Sequence, residues 1–284
     1  MQKNWRIKDL LLWTTRYLTD RGMQEARLEA EILLAHALDK DRVYLYANYE
    51  KPINQDERDV YRSYIKRRIA GEPAAYIVGK QEFMSLVFMV SPDVLIPRPD
   101  TELLVETVLN LAGQEEIQRI CDVGTGSGAI AVSLAASLRS AAVYAVDISA
   151  PALAIARQNA DRHQVPVDFR HGDLLEPMQG EAHLDVIVAN LPYVTLRQIQ
   201  ELDPGVKDYE PHLALLASGD GLDIYRRMIP QAFQCLRPGG YLLIEIDPRQ
   251  SEASKQMLQE FTGVRIFQDG AGRDRLVLGR RGTR

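Results

Sequence analysis

From Arg119 onward, short apolar runs alternate with helical stretches, and this alternation constrains the fold more than any other feature of the chain. Ile120–Val123, Ala142–Val146, Val167–Arg170, Leu184–Ala189 and Tyr241–Ile246 read as strands. Ala129–Leu138, Pro151–Arg162, Asp223–Leu236 and Ser251–Phe261 read as helices. A strand returned by a helix to the next strand builds a largely parallel sheet with helices on both faces. The last two runs, Val264–Gln268 and Arg275–Leu278, flank Asp269-Gly270-Ala271-Gly272. A short glycine-containing turn between strands predicts an antiparallel hairpin at the sheet edge. The expected class is α/β.

Upstream the pattern changes. Residues 1–73 are expected to form a small helical bundle, with helical spacing beginning at residue 3. Ile7, Leu10, Leu11, Thr14 and Leu18 recur on one helical face, as do Ala26, Ala30, Leu33, Leu34, Ala37 and Leu38. A third helix is expected over Gln55–Ile69, ending before Gly71 and Pro73. No residue set in it looks catalytic. Such a unit either recognises a partner or caps the larger domain. Residues 74–96 read as a β-hairpin linker, with Tyr76, Ile77 and Val78 opening its first strand. Residues 97–284 form the third part. It opens on Pro97-Arg98-Pro99-Asp100-Thr101-Glu102, which two prolines make stiff. Asp100 or Thr101 can cap the helix Glu102–Leu111. The arm is then either a plain linker or a carrier of Arg98 and Glu102 over a ligand.

Bulk composition narrows the setting. No apolar run approaches the roughly 20 residues of a membrane span. A net charge of -5 argues against a nucleic-acid binder dominated by phosphate contacts. The one basic run, Arg62, Lys66, Arg67 and Arg68, reads as a solvated helix face or a contact for an RNA-rich or acidic partner. Two cysteines, Cys121 and Cys235, offer neither a disulfide framework nor a metal pattern. A cytoplasmic location is the expectation.

The turn after the first strand of the alternating region is Gly124-Thr125-Gly126-Ser127-Gly128. Glycines between strand and helix let a ligand approach the backbone and the helix N-terminus. Asp147 ends the next strand, where a carboxylate can hold ribose hydroxyls. An adenosine-type ligand is expected. Asp122, just before the first glycine, would repel a pyrophosphate but suit a cationic amino-acid tail. Asp173, after the third strand, could accept from an adenine amino group. Together they favour S-adenosylmethionine over NAD. Asn190-Leu191-Pro192-Tyr193 follows the strand Leu184–Ala189. The Asn190 side-chain oxygen, the Leu191 carbonyl and the Tyr193 ring together suit a planar NH2 group. Pro192 biases Leu191 towards an extended conformation. Taken alone, the tetrapeptide could equally be a strand followed by a proline turn.

With these motifs assembled, the chain resembles a family. Asp122–Gly128 with Asp147 looks like the first two motifs of class I S-adenosylmethionine-dependent methyltransferases, whose sheet is Rossmann-like. Asn190–Tyr193 resembles the Asn/Asp-Pro-Pro-Tyr motif of amino-methyltransferases. Leu95–Glu102, Tyr209-Glu210-Pro211, Gly221-Leu222-Asp223 and Gly272-Arg273-Asp274-Arg275 resemble protein-glutamine N5-methyltransferases, the HemK (PrmC) family. The resemblance implies methylation of the glutamine in the Gly-Gly-Gln motif of class 1 peptide chain release factors. It implies S-adenosylmethionine at Asp122, Gly124, Thr125, Gly126, Ser127, Gly128, Asp147, Asp173, Leu174 and Asn190. It places the substrate at Asn190, Leu191, Pro192, Tyr193 and Arg98, with no metal, no membrane and no direct nucleic-acid partner. Two positions depart from the pattern. Leu191 stands where proline is more usual, and Ile246-Asp247-Pro248 follows Glu245 where a glycine is common. Competing readings are a ribosomal-protein glutamine or a nucleic-acid adenine as acceptor, a non-catalytic adenosine sensor, and an NAD-dependent oxidoreductase.

Overall fold

The structure is a computed structural model and describes residues 5–181 and 183–283. The helix start expected at residue 3 lies outside them. The described residues form two compact units. One runs to Lys80 and includes Asp203–Tyr209; the other comprises Gln81–Leu202 and the residues from Glu210 onward.

The first unit holds helices α1 (Ile7–Thr19), α2 (Ala26–Ala37), α3 (Arg42–Ala47), α4 (Gln55–Ile69) and α5 (Ala74–Val78), with a short helix over Pro204–Tyr209. The apolar faces read from the sequence become its core, with Leu11, Leu18, Leu33 and Leu34 fully buried. Asn54 starts α4 through a reciprocal capping box with Glu57. The basic run is largely neutralised: Arg62 pairs with Asp59 at 3.3 Å, Arg67 with Glu72 at 2.5 Å and Arg68 with Glu29 at 2.8 Å. The expected strand at Tyr76, Ile77 and Val78 is instead α5. Pro73 starts this turn of helix, Gly79 ends it at φ 70°, and Ile77 joins the helical core. A short apolar run fits a buried helical turn as well as a strand. The hairpin is confined to β1 (Lys80–Phe83) and β2 (Leu86–Met89).

The second unit continues with α6 (Glu102–Ala112), β3 (Arg119–Val123), α7 (Ala129–Ser137), β4 (Ala142–Asp147), α8 (Ala150–His163), β5 (Asp168–His171) and β6 (Leu184–Ala189). After the short helices α9 (Pro204–Tyr209, of the first unit) and α10 (His212–Leu215) come α11 (Asp223–Cys235), β7 (Leu236–Glu245), α12 (Ser251–Met257), β8 (Phe261–Gln268) and β9 (Asp274–Arg281). The sheet order is β5-β4-β3-β6-β7-β9-β8. All pairs are parallel except those that β9 makes with β7 and β8. Strand alternation divides the core in two. Ile120, Val186 and Val188 pack with α6 and α7, whereas Cys121, Ile187 and Ala189 pack with α11 on the other face. The chain steps outward from β3 through β4 to β5 and then returns to β6 on the other side of β3, and such a switch point opens a crevice at the strands' carboxyl ends. No helix of the described residues is long and apolar enough to cross a membrane.

Candidate active site

The crevice at the ends of β3 and β6 holds a cavity of about 270 Å³. Its floor is the glycine turn. Gly124 takes φ 74°, and a Cβ there would fall 2.6 Å from Leu191 Cδ2, so the turn and the tetrapeptide interlock. At Gly126 a Cβ would meet nothing within 4 Å, which leaves the backbone open to a ligand. The Gly126 N–H donates to Asp147 Oδ2 at 2.8 Å, and the Ser149 N–H donates to Oδ1 at 2.8 Å. Burial raises the pKa of Asp147, while these backbone donors counter the shift. Each oxygen keeps acceptor capacity for a ligand hydroxyl.

Asp122 lies beneath the turn, 0% exposed and off the cavity lining. Its Oδ2 accepts from Thr125 Oγ1 at 2.6 Å and from the Ala131 N–H at 3.2 Å. Burial pushes its pKa up to about 7, against the pull of those two donors. Its Oδ1 has no hydrogen-bond partner among the described residues. Asp122 holds the turn onto α7.

The tetrapeptide is fixed from behind. Asn190 Nδ2 donates to Thr101 Oγ1 at 3.1 Å, which leaves Asn190 Oδ1 as the acceptor. Thr101 caps α6 by position but makes no side-chain capping bond, because its hydroxyl serves Asn190 instead. Asp100 is likewise engaged elsewhere, with Arg275 at 3.0 Å and Arg273 at 3.2 Å. These contacts tie the closing Gly272–Arg275 motif to the proline-rich arm. No described residue donates to the Leu191 carbonyl. Tyr193 is off the cavity lining, and its hydroxyl donates to Glu245 Oε1 at 3.2 Å. Burial raises the pKa of the Glu245 carboxyl, whereas Thr101, Arg275 and Tyr193 draw it back. Beyond β7, where the motif departs from its usual glycine, Asp247 caps a turn that brings Gln250 Nε2 to the Tyr193 carbonyl at 3.3 Å.

The rim carries two ion pairs. Arg98 lines the cavity and pairs with Glu210, which is buried and also accepts the Ile96 N–H at 3.1 Å. Glu102 turns away from the cavity to accept the Met84 N–H at 2.7 Å. Asp173 lines the cavity with its carboxylate paired to Arg227 of α11. Leu174 beside it takes the left-handed conformation at φ 51°. Of the residues expected from the sequence, the cavity gathers Arg98, Gly124, Thr125, Gly126, Ser127, Asp147, Asp173, Leu174, Asn190, Leu191 and Pro192. Asp122, Gly128 and Tyr193 support it from outside. Thr101, Glu210, Tyr225 and Glu245 were not singled out as site residues. Thr101 and Glu210 stand inside stretches that carry the family resemblance, Glu245 is an acid closing an otherwise apolar strand, and Tyr225 has no local signal.

An open glycine backbone, a ribose-suited carboxylate and a carboxylate–arginine rim fit a nucleoside-type group such as S-adenosylmethionine. Strand order, glycine turn and strand-end tetrapeptide together define the class I methyltransferase fold. Residues 9–79 match the PrmC N-terminal domain family, and residues 98–202 match the methyltransferase small domain family. The chain is 44% identical over 280 residues to a release factor glutamine methyltransferase of Geobacter sulfurreducens, covering 98% of each. It is 44% identical over 277 residues to one of Moorella thermoacetica, covering 96% of this chain and 97% of the relative. A solved structure of the hMettl16 catalytic domain in complex with a MAT2A 3'UTR hairpin shares the fold. Its TM-score is 0.57 at 18% identity, covering 78% of this chain and 81% of that one. The chain belongs to the release factor glutamine methyltransferase family.

Proposed function

We propose that this protein transfers a methyl group from S-adenosylmethionine to the side-chain amide nitrogen of the glutamine in the Gly-Gly-Gln motif of class 1 peptide chain release factors. The observation that carries the reading is the Asn190–Thr101 bond at the cavity wall. It presents the Asn190 side-chain oxygen, beside an unengaged Leu191 carbonyl, as a pair of acceptors for one NH2 group.

S-adenosylmethionine supplies an electrophilic methyl on a sulfonium. When bound it would offer that methyl to the amide nitrogen held by Asn190 Oδ1 and the Leu191 carbonyl, the new C–N bond replacing the methyl–sulfur bond and one amide proton passing to solvent. An amide nitrogen is a weak nucleophile, because its lone pair is delocalised. Positioning therefore carries much of the rate enhancement, and near-attack alignment is worth roughly 7–11 kcal/mol in favourable cases. Asn190 Oδ1 and the Leu191 carbonyl take one substrate N–H each. They aim the nitrogen and stabilise the positive charge that develops on it. Pro192 stiffens the wall beside them. Tyr193 stands behind it, tied to Glu245.

The helical unit and the segment Val194–Ser218 are assigned to gripping the protein substrate, and a cytoplasmic setting fits that substrate. Asn190→Ala tests the assignment of the site. Leaving a substrate N–H unpaired costs about 1–3 kcal/mol, so turnover should fall on the order of tenfold or more. S-adenosylmethionine affinity by calorimetry should change much less. Full turnover in this variant would refute the assignment.

A further inference from the structure

β6 and β7 stay in register as far as Ala189 and Ile244. Beyond that pair the two strands no longer bond to each other, and the Tyr225 hydroxyl bridges them. It accepts the Leu191 N–H at 3.0 Å and donates to the Glu245 carbonyl at 2.7 Å. Tyr225 is 0% exposed and does not line the cavity. Its neighbours on α11, Ile224 and Arg227, do.

The need for the bridge comes from residue 191. A proline there would have no N–H, and its ring would hold φ. Leucine, itself 5% exposed, brings a buried donor together with an unrestrained φ. A buried N–H without a partner is costly, and buried backbone groups are almost always paired. The Tyr225 hydroxyl meets both demands. It satisfies the donor, and it pins the planar Asn190–Leu191 peptide to the end of β7. That plane carries the Asn190 side chain at one end and the Leu191 carbonyl at the other, each one bond beyond a Cα of the unit. Tilting the plane would move both acceptors.

We propose that Tyr225 is a positioning residue for methyl transfer, and that its hydroxyl does by tether what a proline at position 191 would do by covalent restraint. The inference rests on the acceptor roles given above to Asn190 and Leu191. It couples two residues that are 34 positions apart in the chain.

A double-mutant cycle of Tyr225→Phe and Leu191→Pro tests it, with kcat, KM for the release factor, S-adenosylmethionine affinity and Tm measured for each protein. Tyr225→Phe keeps the ring and removes only the hydroxyl. In the native background it should lower kcat about tenfold, because the untethered peptide misplaces both acceptors, and the orphaned N–H should lower Tm as well. S-adenosylmethionine affinity should stay within about twofold, because the change is independent of the cavity lining. Made on top of Leu191→Pro, the same change should cost less than about twofold in kcat, because no N–H remains to orphan. An equal kcat loss in both backgrounds would overturn the proposal. So would a lowered Tm with native kcat in Tyr225→Phe assayed well below its melting point, and that comparison decides the matter alone if Leu191→Pro does not fold. Absence of transfer by the native protein would overturn the underlying function; native transfer matched by Tyr225→Phe overturns only the inference.

Discussion

Asn190 owes its direction to a residue 89 positions away. An asparagine amide has two nearly isosteric ends, and only a fixed partner decides which end faces the cavity. Thr101 is that partner: its hydroxyl hydrogen-bonds the Glu245 carboxyl and is left to accept from Asn190, and it is held beside Asp100, which Arg273 and Arg275 grip from the far end of the chain. Thr101→Val preserves shape and removes the acceptor. It should lower kcat by about two- to tenfold, the range of one ordinary hydrogen bond, with S-adenosylmethionine affinity little changed. A stopped assay of methylated factor beside calorimetry checks it; unchanged kcat would show that Thr101 does not orient Asn190. The chemistry of Asn190 was readable from its residue type and from its place after an apolar strand. Its orientation was not, because that depends on pairs brought together only by the closed sheet. The same holds for Tyr193 and Glu245, which are 52 positions apart.

At the scale of elements, strand–helix alternation and glycine punctuation are local signals, so β3 to β6 and their helices emerged close to their observed bounds. The misreadings lie where local signals are ambiguous. Ala74–Val78 became a helix, and β7 begins at Leu236, ahead of the expected Tyr241, by pairing with Leu184 across Pro238 and two glycines. Two element-scale outcomes follow from packing. Gly221 sits at φ 86°, where a Cβ would overlap the Tyr193 carbonyl and come within 2.5 Å of Gln250 Nε2. Gly221→Ala should therefore lower stability by ~1–2 kcal/mol from backbone strain alone, and by more once Tyr193 is displaced. Urea unfolding and turnover would both register it; native values in each would contradict the packing described. The glycine turn carries a pH signature through Asp122, whose pKa rises from 3.8 to about 7 on burial. A native state that holds its proton longer than the unfolded chain loses stability as pH rises between those two values, and the loss levels off above the higher one. Asp122→Asn should shrink the fall in Tm between about pH 5 and pH 7, isolating this group from Glu245 and Asp147, whose shifts have the same sign. An identical fall in variant and native protein would place the titration elsewhere.

For the whole molecule, a net charge of -5 and a basic helix face whose Arg62, Arg67 and Arg68 are ion-paired fit the proposed protein acceptor. If the helical unit helps to recognise that acceptor, a short Gly-Gly-Gln peptide should have a KM on the order of tenfold or more above that of the intact factor, the equivalent of ~1.4 kcal/mol of remote contact. Equal KM values would confine recognition to the crevice. The most direct test of the central claim is transfer of a labelled methyl group from S-adenosylmethionine to a purified class 1 release factor, run beside the same factor with its Gly-Gly-Gln glutamine replaced. Label on the first and none on the second is the predicted result. Equal label on both, or none on either while the protein still binds S-adenosylmethionine, would contradict it.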